Sequence, residues 1–68
     1  MSVEIVCNGG PRRIEEGTLL IDFLRSLSLD PETVVVECDG AVVERPSYEH
    51  LVLHPGARLE LIRFVGGG

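Results

Sequence analysis

Cys7, Cys38, His50, His54, the adjacent acids Glu15 and Glu16, and the final run Gly66-Gly67-Gly68 are the residues of this chain that could do chemistry. His50-x-x-x-His54 has the separation that sets two imidazoles on one helical face for a metal ion. Pro55-Gly56 follows at once, which does not suit a helix, and no acid or cysteine completes a ligand set, so no metal site is expected. Cys7 and Cys38 form neither a C-x-x-C pair nor a disulfide framework. Both fall on core-facing strand positions and are expected to be buried, inert thiols. A nucleophilic cysteine would need a nearby base held by a third group, which the sequence does not supply. Glu15-Glu16 reads as solvated turn charge. Asn8-Gly9-Gly10 lacks the pattern of a phosphate loop and joins two strands instead of opening a helix.

The glycine run has chemistry of a different kind. Three extended glycines span roughly 10 Å, and with Phe64-Val65 about 17 Å. Without Cβ atoms, such a tail can thread a channel that any side chain would block. As a chain end it would present a carboxylate free of steric shielding. That group is a poor electrophile until an ATP-using enzyme adenylates it. It is then an acyl donor, which a sulfur nucleophile would convert to a thiocarboxylate. Frayed ends can look the same. The run gains meaning from being joined directly to a strand.

The elements that would position it are legible. Val3 to Cys7 alternates as a strand, Asn8-Gly9-Gly10-Pro11 is a turn, and Arg12 to Glu15 is a short return strand with Ile14 facing in. Leu20, Phe23, Leu24 and Leu27 form one helical stripe, with Thr18 the expected N-cap and Asp30-Pro31 the expected stop. Leu19 and Ile21 fall off the stripe and are expected to be partly exposed. Val34 to Cys38 is a β-branched strand, Asp39-Gly40 a hairpin turn, and Ala41 to Glu44 its short partner. Arg45 to Leu53 has no period, and Tyr48 and Leu51 are expected to tuck it against the core. Pro55-Gly56 turns the chain into a last strand, Arg58 to Val65. Leu59 and Leu61 share its core face. Glu60, Ile62 and Phe64 share the other, which becomes apolar toward the tail and so suggests an interaction surface. One helix cannot cover both faces of this sheet, so one face should stay open.

Eleven acids against six bases, all arginine, leave a net charge of −5, which argues against nucleic acid as a partner. With no lysine, the N-terminus is the one primary amine of the sequence. The opening residues lack the pattern of a secretory leader, and no apolar run approaches the roughly 20 residues of a membrane span, so a cytoplasmic protein with no membrane contact is expected.

Several stretches together resemble one family. They are Asn8-Gly9 after the first strand, EEGTLLIDFLRSLSLDPETVVVECDG from Glu15 to Gly40, VVERPSYEH from Val42 to His50, and PGARLELIRFVGGG at the end. In order and spacing they are similar to the ThiS-type sulfur carriers of the ubiquitin-like ThiS/MoaD superfamily. Tyr48 stands where that family often has tryptophan, Asp39 where it often has asparagine, and Pro55-Gly56-Ala57 where it often has an acidic Asp-Gly-Asp turn.

The resemblance implies an α+β, ubiquitin-like β-grasp fold over residues 1–65. A mixed sheet of four to five strands would carry one helix on one face, and residues 66–68 would form a flexible glycine tail. It also implies a carrier with no active site, no bound cofactor and no metal. A ThiF-type adenylyltransferase would adenylate Gly68 with ATP. Sulfur would come indirectly from a cysteine desulfurase or other persulfide donor, and the Gly68 thiocarboxylate would deliver it to a ThiG-type thiazole synthase in thiamine biosynthesis. Gly66 and Gly67 would thread partner active sites, and Ile62, Phe64 and Val65 would dock the carrier, a monomer on its own. Sulfur delivery to molybdopterin, an amino acid or tRNA remains an alternative reading, as does conjugation of Gly68 to target proteins.

Overall fold

The computed structural model describes residues 1–63. Strands β1 (Ser2–Cys7) and β2 (Gly10–Glu15) form an antiparallel hairpin. Its loop is only Asn8-Gly9, both at positive φ (50° and 82°), the twist that suits a two-residue hairpin. The return strand therefore begins at Gly10, two residues before the expected Arg12. Helix α1 (Leu20–Ser26) follows, then a 3-10 turn at Pro31–Thr33. Strands β3 (Val34–Cys38) and β4 (Ala41–Val43) form a second hairpin about Asp39-Gly40, again with both residues at positive φ. A 3-10 turn at Arg45–Glu49 leads by an irregular stretch to β5 (Arg58–Arg63). The sheet order is β2-β1-β5-β3-β4. Strand β5 runs parallel to β1 and antiparallel to β3, so the last strand lies at the centre of a mixed five-stranded sheet. With one helix on one face, this is the β-grasp arrangement that the resemblance implies.

Two expectations about the helix are corrected. Thr18 is not its N-cap: the cap position is Leu19, and the Thr18 hydroxyl donates to the Glu15 carbonyl at 2.6 Å. The first turn is held by neighbours instead, with the Leu20 amide donating to the Leu51 carbonyl and the Leu53 amide to the Thr18 carbonyl. Nor does Asp30-Pro31 end the helix. It ends at Ser26, and Asp30 caps the following 3-10 turn by accepting from the Glu32 amide. The helix stops because Ser28 takes a left-handed conformation, φ 60°. The Leu29 amide then reaches the Leu24 carbonyl and the Ser28 amide the Arg25 carbonyl, which is a Schellman closure. Glycine is the usual signal for that geometry, and serine hides it.

The core is aliphatic: Ile5, Leu20, Leu24, Val34, Val36, Leu53 and Leu59 are sealed from solvent. Burying each such side chain contributes about 1.5–3 kcal/mol. Ile21, expected to be partly exposed, is only 8% exposed. The 3-10 turn at Arg45–Glu49 lies beside α1, so this short helix buries a second flank as well as its sheet-facing stripe. Leu27, at the end of the stripe, is half-buried against the core, as is Leu19. Tyr48 does tuck in, 2% exposed, with its hydroxyl donating to the Val34 carbonyl at 2.7 Å.

Candidate functional site

The end of β5 is where fold and candidate chemistry meet. Cross-strand register fixes which residues share each sheet face. Leu59 pairs with Cys7 and Cys38, and Leu61 with Val36, all on the helical side. Ile62 pairs with Val35 and Glu60 with Glu37, whose other neighbour is Val42, all on the open side. Ile62 is 49% exposed and Val42 65% exposed. The expected apolar, uncovered strip is therefore present as far as Ile62. Phe64, Val65, Gly66, Gly67 and Gly68 lie outside the described residues.

Strand β5 needs support on its β1 side, because β1 pairs with it only at Val6–Arg58 and Cys7–Leu59. Asn8 supplies that support. Its amide donates to the Leu59 carbonyl at 2.8 Å, and its side-chain Oδ1 accepts from the Leu61 amide at 2.8 Å. One side chain thus adds a rung to the ladder after β1 has turned away. The positive φ that makes the hairpin aims the amide at β5. Asn8 was legible as a turn residue, but its bond to a strand 53 positions later was not.

At the opposite end of β5, His54 and Asp39 come together, Nε2 to Oδ2 at 2.7 Å. The other ring nitrogen, Nδ1, faces the Pro55 carbonyl at 2.8 Å. Both ring nitrogens face acceptors, so the geometry suits an imidazolium that donates twice. The hydrogen bond to Asp39 and then that to Pro55 push the His54 pKa up. The hydrogen bond from His54 and then the Arg58 amide pull the Asp39 carboxyl down. Asp39 Oδ1 accepts from that amide at 3.0 Å, so one carboxylate ties the β3–β4 turn to the start of β5. His50 stays exposed and does not join His54. No group of three or more metal-capable side chains forms among the described residues.

Cys7 is buried and Cys38 half-buried, and both thiols are free. Burial raises both thiol pKa values. The Arg12 charge only partly opposes this at Cys7, and the Asp39 carboxylate adds to it at Cys38. Neither is poised as a thiolate, in line with the expected inert role. Glu15, the last residue of β2, and Glu16, on the turn that follows, are both exposed. No described helix is long and apolar enough to cross a membrane.

Nothing described is a catalytic constellation. What remains is a β-grasp body whose central strand precedes the glycine run in sequence. The model of the ThiS family matches residues 5–68, from the first strand through those glycines. The chain belongs to the ThiS family. A crystal structure of the thiamine biosynthesis protein ThiS from Geobacter metallireducens shares the fold with a TM-score of 0.82. It is 29% identical, covering 97% of this chain and 100% of that one. A solution structure of a thiamine biosynthesis protein from the same organism gives a TM-score of 0.79, also at 29% identity, over 97% and 88% of the two chains. Two curated relatives are each called thiazole synthase. That of Magnetococcus marinus is 41% identical and that of Paramagnetospirillum magneticum 30% identical, each over 97% of this chain. The chain spans about a fifth of the length of these two relatives, 20% in each case.

Proposed function

We propose that this ThiS-family chain is a sulfur carrier of thiamine biosynthesis whose working atom is the acyl carbon of Gly68. The Gly68 carboxylate attacks the α-phosphorus of ATP in a ThiF-type adenylyltransferase, and pyrophosphate leaves. A sulfur nucleophile then adds to the acyl carbon and AMP leaves. Where the sulfur arrives as a persulfide from a cysteine desulfurase or similar donor, a thiol breaks the remaining S–S bond to free the thiocarboxylate. The thiocarboxylate delivers its sulfur to a ThiG-type thiazole synthase. The body is a handle that positions the reactive end in a partner's pocket, a proximity effect, and it has no active site of its own.

The observation that carries this reading is the match of the ThiS family model through the glycine run, on a body that overlays a ThiS crystal structure end to end. The curated relatives support thiazole synthase as the receiving enzyme, because their names join a segment like this one to that activity. Gly66 and Gly67 would give the end reach without bulk. Ile62, Phe64 and Val65 would dock the strand that carries it. Intact-mass analysis tests the scheme after incubation with the cognate adenylyltransferase, ATP and a sulfur donor. The expected result is replacement of one oxygen by sulfur, mapped to Gly68. No such gain, or a Gly68 found in peptide linkage instead of as a free acid, refutes it.

A further inference from the structure

The open sheet face has a feature that its own stability does not call for. Glu37 and Glu60 are directly opposed across β3 and β5, at the centre of the face. Like charges in that relation destabilise a sheet. Elsewhere on the same face the register is complementary: Glu4 opposes Arg13 across β1 and β2. The two central carboxylates have no ion pair among the described residues, where the one ion pair is His54–Asp39. Arg58 shares the face one position along from Glu60 in the alternation of β5. Around the acids lie apolar side chains: Ile62 and Val35 toward the end of β5, and Val42 beyond Glu37 on β4. Strand neighbours at this separation sit about 4.5–5.5 Å apart, within the span of one guanidinium fork.

We propose that the open face of β5, β3 and β4 is a docking surface for a partner protein that presents an arginine ringed by aliphatic side chains. The arginine bridges Glu37 and Glu60 while the aliphatic groups cover Ile62, Val35 and Val42. Charge complementarity is the ground for this occupant. A second copy stacked with the two Glu37–Glu60 centres in register would oppose acids to acids, and a purely apolar partner would bury two carboxylates without a counter-charge, which is costly. Arginine suits the place better than lysine, because its planar fork can serve two carboxylates and is more weakly hydrated. The inference rests on the carrier reading and adds what the enzymes that handle the carrier must present to it.

The test measures binding of the Glu37→Gln/Glu60→Gln double variant to the cognate adenylyltransferase and to thiazole synthase at low and moderate salt. The free variant should melt at or above the wild-type temperature, since a repulsion has been removed. Its Kd for at least one of the two enzymes should rise about tenfold or more, and the salt dependence of that Kd should flatten. An Asp22→Asn variant removes one negative charge from the helical side and should leave both Kd values near wild type. Unchanged Kd and salt slope for both enzymes in the double variant overturn the proposal. So does an equal loss in Asp22→Asn, which would mean steering by net charge alone. Conversion of the double variant to the thiocarboxylate at saturating enzyme is scored separately, so failure here leaves the carrier chemistry standing.

Discussion

Tyr48→Phe should cost this domain about 1–2 kcal/mol, far more than the loss of one oxygen suggests. The ring is 2% exposed and its hydroxyl donates to the Val34 carbonyl at 2.7 Å, at the point where β3 begins. Phenylalanine keeps the ring packing and removes only the donor. A net hydrogen bond is worth about 0.5–1.5 kcal/mol, and a buried acceptor left without a partner costs about 1–3 kcal/mol. The penalty is held to the middle of that range because Arg45 Nη2 also approaches the Val34 carbonyl, at 3.4 Å. At about 0.05–0.15 kcal/mol per residue, a domain of this size has roughly 3–10 kcal/mol of stability in all, so the loss is a sizeable share. Thermal melting followed by circular dichroism should show a Tm lower by roughly 5–15 °C. Urea unfolding should show a shifted midpoint with an unchanged m-value. Arg45→Met in the same background should be more than additive, because the guanidinium is the second donor to that carbonyl. A Tyr48→Phe cost below about 0.3 kcal/mol, or strict additivity with Arg45→Met, would refute the view that this side-chain pair ties the 3-10 turn at Arg45–Glu49 to β3.

Three other outcomes follow from local geometry. Ser28→Gly should stabilise the domain by about 0.5–1 kcal/mol in urea unfolding, because Ser28 sits at φ 60° and side-chain sterics oppose that conformation. Asn8→Gly keeps the turn but removes the acceptor for the Leu61 amide. It should cost about 1 kcal/mol and speed hydrogen exchange at Leu61 more than at Leu59. The His54–Asp39 pair should make stability depend on pH in two directions. The His54 pKa is raised from 6.5 in the fold, so its contribution is complete below pH 6.5 and is lost as pH rises through the higher folded value. The Asp39 pKa is lowered from 3.8, so its contribution is complete above pH 3.8 and is lost as pH falls through the lower folded value. The Tm difference between wild type and His54→Gln should therefore be greatest between those limits and shrink on either side of them. A difference that is flat from pH 5 to pH 9 would count against the pair.

The two hairpins, the helix and the order of elements along the chain were legible because each rests on local signals. Asn8-Gly9 and Asp39-Gly40 fix tight turns, the β-branched run fixes β3, and the stripe from Leu20 to Leu27 fixes α1. The misreadings of Thr18 and Ile21 share one cause. Thr18 looks like an N-cap because its type is right, but the helix start is held by the carbonyl of Leu51, which sequence distance hides. Ile21 looks partly exposed when α1 is imagined against a sheet alone; it is buried because the turn bearing Tyr48 folds over the second flank of the helix. Ser28 ends the helix without glycine, so no composition signal marks the spot.

The candidate site divides along the same line. The glycine run and the apolar drift of β5 are properties of consecutive residues, so a reader of the sequence finds them. The opposition of Glu37 and Glu60 is a property of register between strands, and register is set by topology. A fold that places its last strand in the middle of the sheet gives that strand two neighbours, and each neighbour adds side chains to its open face. Under the proposed carrier reading, the reactive end would follow a strand held by Asn8 and β1 on one side and by β3 on the other. That support is what a handle requires, because slack in β5 would be passed directly to whatever the strand presents. Loosening β5 through Asn8→Gly should therefore reduce the rate of transfer from carrier to acceptor more than it reduces binding, whereas neutralising Glu37 and Glu60 should reduce binding more than transfer at saturation. Equal effects of both changes on both steps would mean that docking and positioning are not separate functions of this face.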